Sequence, residues 1–193
     1  MLAVAGGRSV RARVLVNAAG AWADTVAQRA GLAALGLQPK RRSAFTFDAP
    51  GHDPRAWPSV VGIDEGWYFK PDAGQLLGSP ANADPVPAHD VVAEEIDIAT
   101  GIARIEERTT LTIRRPRRTW AGLRTFAPDA ELVIGSDPRA PSFFWLAGQG
   151  GYGIQSAAGA ALLAESLLLG AALPERLREQ GVQPVAMAPA RLL

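Results

Sequence analysis

No cysteine occurs anywhere in the chain, which excludes disulfides, thiolate nucleophiles and cysteine-based zinc sites together. Histidine is nearly as scarce: His52 and His89 are the two present, both in proline-rich or polar segments, and both read as surface. With no carboxylates paired at ligand spacing either, a metal site has no support. Charge of one sign is also lacking. Twenty basic side chains, almost all arginine, stand against nineteen acidic ones for a net charge of +1, so no overall field selects nucleic acid or an anionic membrane as partner. The N-terminal "MLAVAGGRSVRARVLV" has no basic stretch ahead of a long apolar run and does not read as a signal peptide. The most apolar segment, from Ala157 to Leu173, is broken by Glu165 and reads as a buried helix, with no transmembrane segment expected. A cytoplasmic protein is the expectation.

What is present is enough for a core. A chain of 193 residues with 48% hydrophobic side chains can fold as one or two domains. Its arginines suit bidentate carboxylate recognition, although arginine-rich usage also follows from genome composition.

Along the chain, residues 1–20 read as a hairpin: a short apolar strand, a Gly-Gly turn, then Arg11 to Val16 alternating polar and apolar. "AWADTVAQRAG" has helical spacing with Gly31 as a stop. From Leu37 to about Gly78 the runs "RRSAFTF", "SVVGI", "WYFKP" and "GQLLGS" predict an antiparallel sheet. "DVVAEEIDIATGIARIEERT" returns to helical period, with Val92, Ile96, Ala99, Ile102 and Ile105 on one expected face. Strands follow after Pro116 and in "ELVIG" and "SFFWLAG", and a helix is expected from Gly153 or Ile154 to Leu169. Beyond Gly170 the pattern fades into a proline-bearing tail.

The stretch "WLAGQGGYGIQ" spells GxGxxG through Gly148, Gly150 and Gly153. A dinucleotide fingerprint needs a second parallel strand ending in an acidic residue about 20 positions on, to hold the ribose. Here Glu175 and Glu179 fall in "LPERLREQG", with no strand run beside them, and no Lys-Ser/Thr follows the glycines as a P-loop requires. The glycines therefore serve another purpose. Either they let strand and helix pack closely, or they bring bare backbone and a helix N-terminus up to a flat or anionic group.

Read with "VLVNAAGAWAD", "WYFKPDAGQLLGSPAN" and "WAGLRTFAPD" with "ELVIG", the stretch "WLAGQGGYGIQSAAG" resembles the C-terminal half of the D-amino-acid oxidase/glycine oxidase family of FAD-dependent amine oxidoreductases, and within it D-arginine dehydrogenase-like enzymes most. The resemblance covers most of residues 9–170. It implies an α+β fold: an antiparallel substrate-domain sheet with a helix, plus the C-terminal part of a Rossmann-like FAD-binding domain. The implied divisions are 1–36 and 122–170 for the FAD side, 37–121 for the substrate domain, and 171–193 as a tail. The implied chemistry is oxidation of a D-amino acid amine to an imine by hydride transfer to flavin.

Residue by residue, Arg124 in "WAGLR" resembles the family's carboxylate-binding arginine, Tyr68 a substrate-contacting tyrosine, and Arg41 a second carboxylate ligand, with Arg42 as the register alternative. Gly151 matches a position whose carbonyl faces the substrate amine. Gly148, Gly150, Gly151, Tyr152, Gly153, Ile154 and Gln155 match the flavin-facing loop, and Ala18, Ala19 and Gly20 the FAD-side turn. Without the resemblance, Tyr68 reads as sheet packing and Arg41 and Arg42 as a solvated pair. Thr125 stands where family members usually have proline. The family's opening strand, GxGxxG and acidic ribose ligand do not precede Met1. The expectation is therefore a fragment, a truncated product or half of a split enzyme, holding FAD weakly by itself, with an N-terminal partner chain or self-association covering its cofactor face. Two further readings stay open: a non-catalytic binding or assembly module, and a flavin enzyme for a secondary amine or hydroxy acid.

Overall fold

A computed structural model describes residues 2–4 and 7–193. In chain order the elements are β1 (Leu2–Val4), β2 (Arg8–Val10), β3 (Leu15–Asn17), α1 (Ala23–Arg29), β4 (Gln38–Phe47), β5 (Val60–Val61), β6 (Tyr68–Asp72), β7 (Gln75–Ser79), β8 (Asp84–Pro85), α2 (Glu95–Arg108), β9 (Arg118–Phe126), β10 (Val133–Asp137), β11 (Ala140–Ala147), α3 (Gly153–Leu169), α4 (Glu175–Glu179) and α5 (Pro184–Met187). The fold is α+β. Contacts divide it into two compact units, Met1–Gln38 with Arg124–Leu193, and Pro39–Leu123.

In the first unit a three-stranded sheet runs β10-β11-β3. β10 and β11 are antiparallel, whereas β3 joins β11 in parallel, with Trp145 opposite Asn17. A parallel neighbour needs a long crossover, and here the rest of the chain supplies it. Alternation along β10 and β11 sends Val133, Phe143, Trp145 and Ala147 to one face, where Ala23 and Ala27 of α1 meet them. Ile134 and Phe144 go to the other face and pack on Leu163 and Ala164 of α3 and Leu177 of α4. Both faces are thus covered by helices. Asp24, in the first turn of α1, accepts the backbone N–H groups of Leu35, Gly36 and Leu37 at 3.0, 3.0 and 2.8 Å, which ties down the segment leading into β4. At the end of β10 the fully buried carboxylate of Asp137 accepts Arg139 Nε and Nη2 at 2.9 and 2.7 Å and Trp145 Nε1 at 3.1 Å. The Arg139 guanidinium above all holds its pKa down to about 2, against the opposing effect of burial.

The expected N-terminal hairpin differs in its second strand. β1 pairs with β2, Leu2 opposite Val10, while Arg11 to Val14 stay outside any strand and Leu15–Asn17 turns to β11. Period-2 alternation marks a strand without naming its partner. The Gly6 position of the expected turn lies outside the described residues. Past Gly170 the chain continues as α4, α5 and a closing 3₁₀ turn, with Leu177 and Pro189 buried. Arg191 Nε donates to Asp129 at 2.6 Å and its Nη2 to the Glu131 carbonyl at 3.1 Å. These helices are too short to display a periodic stripe, which is why the sequence pattern fades past Gly170 into a proline-bearing tail.

In the second unit the strands run β5-β6-β7-β4-β8, and β9 also pairs with β4. β6 and β7 close on a two-residue turn, with Asp72 opposite Gln75. Its two central residues, Ala73 and Gly74, take φ of 47° and 83°, the left-handed pair that suits the twist of a tight hairpin. α2 lies on the face formed by Phe45, Phe47, Phe69 and Leu76. Its buried residues are Ile98, Gly101 and Ile105, whereas Ile96 is 67% exposed and Val92 precedes the helix. The expected face was rotated because Gly101 was not counted as apolar. A Cβ there would stand 2.8 Å from Phe45 Cε1 and 3.0 Å from Pro80 N, so the helix approaches the sheet through its glycine.

Candidate active site

β3 and β11 run parallel and side by side, so their carboxyl ends emerge at one edge of the sheet, the edge where open α/β sheets place ligands. From β3 this edge receives Ala18, Ala19 and Gly20. Asn17 shapes the turn: its Nδ2 donates to the Ala23 carbonyl at 2.8 Å and its Oδ1 accepts the Ala19 N–H at 3.3 Å. Gly20 follows at φ 56°.

From β11 the same edge receives residues 148–152. Gly148 and Gly150 sit at φ 74° and 52°, where a Cβ carries a steric cost. Space is equally restrictive. A Cβ on Gly148 would stand 3.2 Å from the Glu131 carbonyl, one on Gly150 2.6 Å from Phe126 Cε1, and one on Gly151 3.0 Å from Arg124 Nη1. The Gly150 N–H is fixed by the Thr125 carbonyl at 2.9 Å. The bend then becomes α3, whose N-cap Tyr152 provides no side-chain cap and whose first turn holds no acidic residue. Its leading N–H groups and positive dipole end are thereby left to an external acceptor. Tyr152 is 61% and Ile154 98% exposed, while Gly153 and Gln155 complete the first turn.

Arg124 is therefore a neighbour of Gly151. Its guanidinium carbon lies 5.5 Å from the centroid of the Phe126 ring, and that ring also underlies Gly150. One aromatic ring supports both the arginine and the bend. Phe126 is absent from the sequence-derived site, although its spacing of two from Arg124 on β9 was a legible signal that the two share a face.

In the second unit, Arg41 and Arg42 separate by the alternation of β4. Arg41, with 13% of its side chain exposed, pairs with Asp84 and Asp97 at 3.4 Å each and with Glu94. Arg42 donates from Nε to the Asn82 carbonyl at 2.6 Å and places its guanidinium carbon 5.8 Å from the Tyr68 ring centroid. Of the two arginines, Arg42 accompanies Tyr68 and Arg41 is committed to carboxylates of its own unit.

His52 and His89 are exposed, the first beside Trp57 at 5.6 Å, the second bonded through Nδ1 to the Pro87 carbonyl at 2.7 Å. Among the described residues no group of His, Asp and Glu could hold a metal ion. Among the same residues no helix is long and apolar enough to cross a membrane.

The donor set fits a flat, electron-accepting ring that gains negative charge: bare backbone that excludes any Cβ, and an uncapped helix N-terminus beside it. Residues 2–166 match the family described as FAD dependent oxidoreductase. Among solved structures the chain is similar to glycine oxidase from Geobacillus kaustophilus, at 23% identity and a TM-score of 0.67 over 82% of this chain and 42% of that one. It is also similar to L-proline dehydrogenase from P. horikoshii, at 22% and 0.68 over 92% and 46%, and to L-amino acid deaminase from Proteus vulgaris, at 18% and 0.69 over 92% and 42%. The chain spans less than half the length of these structures, and at such identities the likeness is one of fold.

Proposed function

From the premise that this chain belongs to the FAD dependent oxidoreductase family, we propose that it provides the flavin-side helix terminus and the carboxylate-gripping arginine of an enzyme that oxidises the amine of a D-amino acid. The observation carrying this reading is the adjacency of Gly151 to Arg124, at 3.0 Å from a would-be Cβ to Nη1. When bound, FAD supplies the two-electron acceptor for a hydride from the substrate Cα, the amine becoming an imine that water converts to a 2-oxo acid and ammonia.

The chain's own residues hold and orient. Ala18, Ala19, Gly20 and the bend from Gly148 to Gln155 form the cofactor edge, and the Gly151 carbonyl takes the substrate amine. Arg124, resting on Phe126, offers a planar fork to the α-carboxylate, a charge-assisted pair roughly twice as strong as a neutral hydrogen bond. Fixing the acid group fixes which hydrogen leaves Cα. Tyr68 is assigned a substrate contact on the same chemistry, with Arg42 in place of Arg41 as its companion, because Arg41 already faces three carboxylates.

The test is purification of the chain with an N-terminal FAD-domain segment. A yellow complex that oxidises D-amino acids with an artificial electron acceptor is expected. In it, Arg124→Ala should raise KM for carboxylate substrates by about a hundredfold while leaving the flavin spectrum in place. A colourless complex that ignores added FAD refutes the reading, and unchanged substrate affinity removes Arg124 from it.

A second reading, a non-catalytic module that binds another chain, is favoured by the exposed apolar residues of α3, Ile154 at 98% and Leu169 at 74%. Sedimentation of the isolated chain separates the two: self-association at micromolar concentration supports the module, a well-behaved monomer counts against it.

A further inference from the structure

Four of the five residues 114–118 are arginine, interrupted by Pro116. The candidate active site uses none of them. Arg118 opens β9, while Arg114, Arg115 and Arg117 belong to an irregular stretch between α2 and β9, and with the end of β4 this stretch lines a cleft of about 560 Å³ within the Pro39–Leu123 unit. Arg114, Arg115 and Arg117 line it together with Asp48, His52, Thr110 and Thr112, over an apolar floor of Phe47, Leu111 and Ile113.

The charges in this cleft do not balance. Asp48 is its one lining carboxylate, and both oxygens are engaged: Oδ1 accepts Gln75 Nε2 at 3.0 Å, and Oδ2 accepts Arg117 Nε at 2.6 Å. Asp48 therefore neutralises Arg117 and no more. That pairing also orients Arg117, whose backbone N–H is held by the Thr46 carbonyl at 2.7 Å. Nearby, Glu106 accepts the Ile113 N–H at 2.6 Å, and the C-terminal end of α2 contributes about half a negative charge. Arg114 and Arg115 enter no ion pair among the described residues. Two guanidinium charges, on the adjacent Arg114 and Arg115, are left facing a concave space, just ahead of Pro116, which restricts the backbone that follows them.

The shape decides what kind of anion fits. A cleft of this volume lies in the range of about 300–1,000 Å³ typical of small-molecule sites, and a chain with net charge +1 has no broad field to attract a polyanion. Guanidinium forks match phosphate oxygens in pairs, and the threonine hydroxyls add donors. The apolar floor accommodates a carbon moiety attached to the phosphate. Along β4, Phe47 stands five residues from Arg42, about 16 Å at strand spacing, so the cleft is separate from the Arg42 and Tyr68 pair. We propose that this cleft binds a small soluble molecule bearing a phosphate or diphosphate group, independently of the proposed oxidation.

The test is calorimetric titration of the chain with pyrophosphate at low salt. Saturable binding of one pyrophosphate is expected, weakened at least about tenfold in the double variant Arg114→Gln with Arg115→Gln. The control variant Arg176→Gln with Arg178→Gln removes two exposed arginines of α4 and should bind like the parent. Pyrophosphate should also protect Arg114 and Arg115 of the unaltered chain from phenylglyoxal, read by mass spectrometry, so the test does not depend on a variant folding. Absence of saturable binding, an equal loss in both variants, or no protection would overturn the proposal. So would binding to polyglutamate or to phosphatidylcholine vesicles containing phosphatidic acid without binding to pyrophosphate.

Discussion

Gly20 and Gly150 have nearly the same backbone conformation, φ 56° and 52°, but opposite surroundings. A Cβ on Gly20 meets nothing within 4 Å, while one on Gly150 stands 2.6 Å from Phe126 Cε1 and 2.9 Å from Cδ1. Gly20→Ala therefore measures the conformational cost alone, about 1–2 kcal/mol for a non-glycine residue held left-handed. Gly150→Ala adds an overpacking cost of about 1–3 kcal/mol, because the Phe126 ring must move from beneath the bend. The expected losses are about 1.5 kcal/mol for the first change and about 3.5 kcal/mol for the second. Urea unfolding followed by near-ultraviolet circular dichroism would give both values. Phe126→Ala combined with Gly150→Ala should lose less than the sum of the single changes, since removing the ring removes the clash. Equal losses for Gly20→Ala and Gly150→Ala, or strict additivity of the pair with Phe126, would refute the account of the bend as sterically closed against Phe126.

Two further expectations concern the first unit. The Asp137 pKa of about 2, against an ordinary 3.8, means that the unfolded chain binds the extra proton between those values. The stabilisation, about 2 kcal/mol, is therefore complete above pH 4 and lost as the pH falls toward 2. Asp137→Asn should lose about 3 kcal/mol at neutral pH by removing the countercharge of Arg139 and turning one of the two acceptor oxygens into an NH2 donor, and should flatten this stretch of the pH profile in acid titration monitored by tryptophan fluorescence. Asp24→Ala removes the acceptor of three backbone N–H groups and should cost about 2–4 kcal/mol, with hydrogen exchange accelerated first at Leu35 and Leu37.

Much of the local structure was legible. The step from "SFFWLAG" through glycines into an alanine-rich run places β11, the bend and α3, and Gly170, at φ 61°, ends that helix where a left-handed cap belongs. The hairpin of β6 and β7 is written in "DAGQ". Less legible was which of two adjacent arginines accompanies Tyr68. A one-residue difference on a strand reverses the face, and only the surroundings of β4 separate Arg41, among Asp84, Glu94 and Asp97, from Arg42 on the Tyr68 ring. The role of Phe126 escaped for a related reason: a phenylalanine on a strand signals burial, not what rests on it.

Residue order alone marked most of the strands, the long helices and the glycine bend, because hydrophobic period and backbone permissiveness are properties of neighbouring residues. The partner of β3, the face of α2 turned inward through Gly101, and the placing of Arg124 against Gly151 were decided in the tertiary structure. Each joins segments distant along the chain or depends on the absence of a side chain, so its energy exists only once the surrounding surfaces have met.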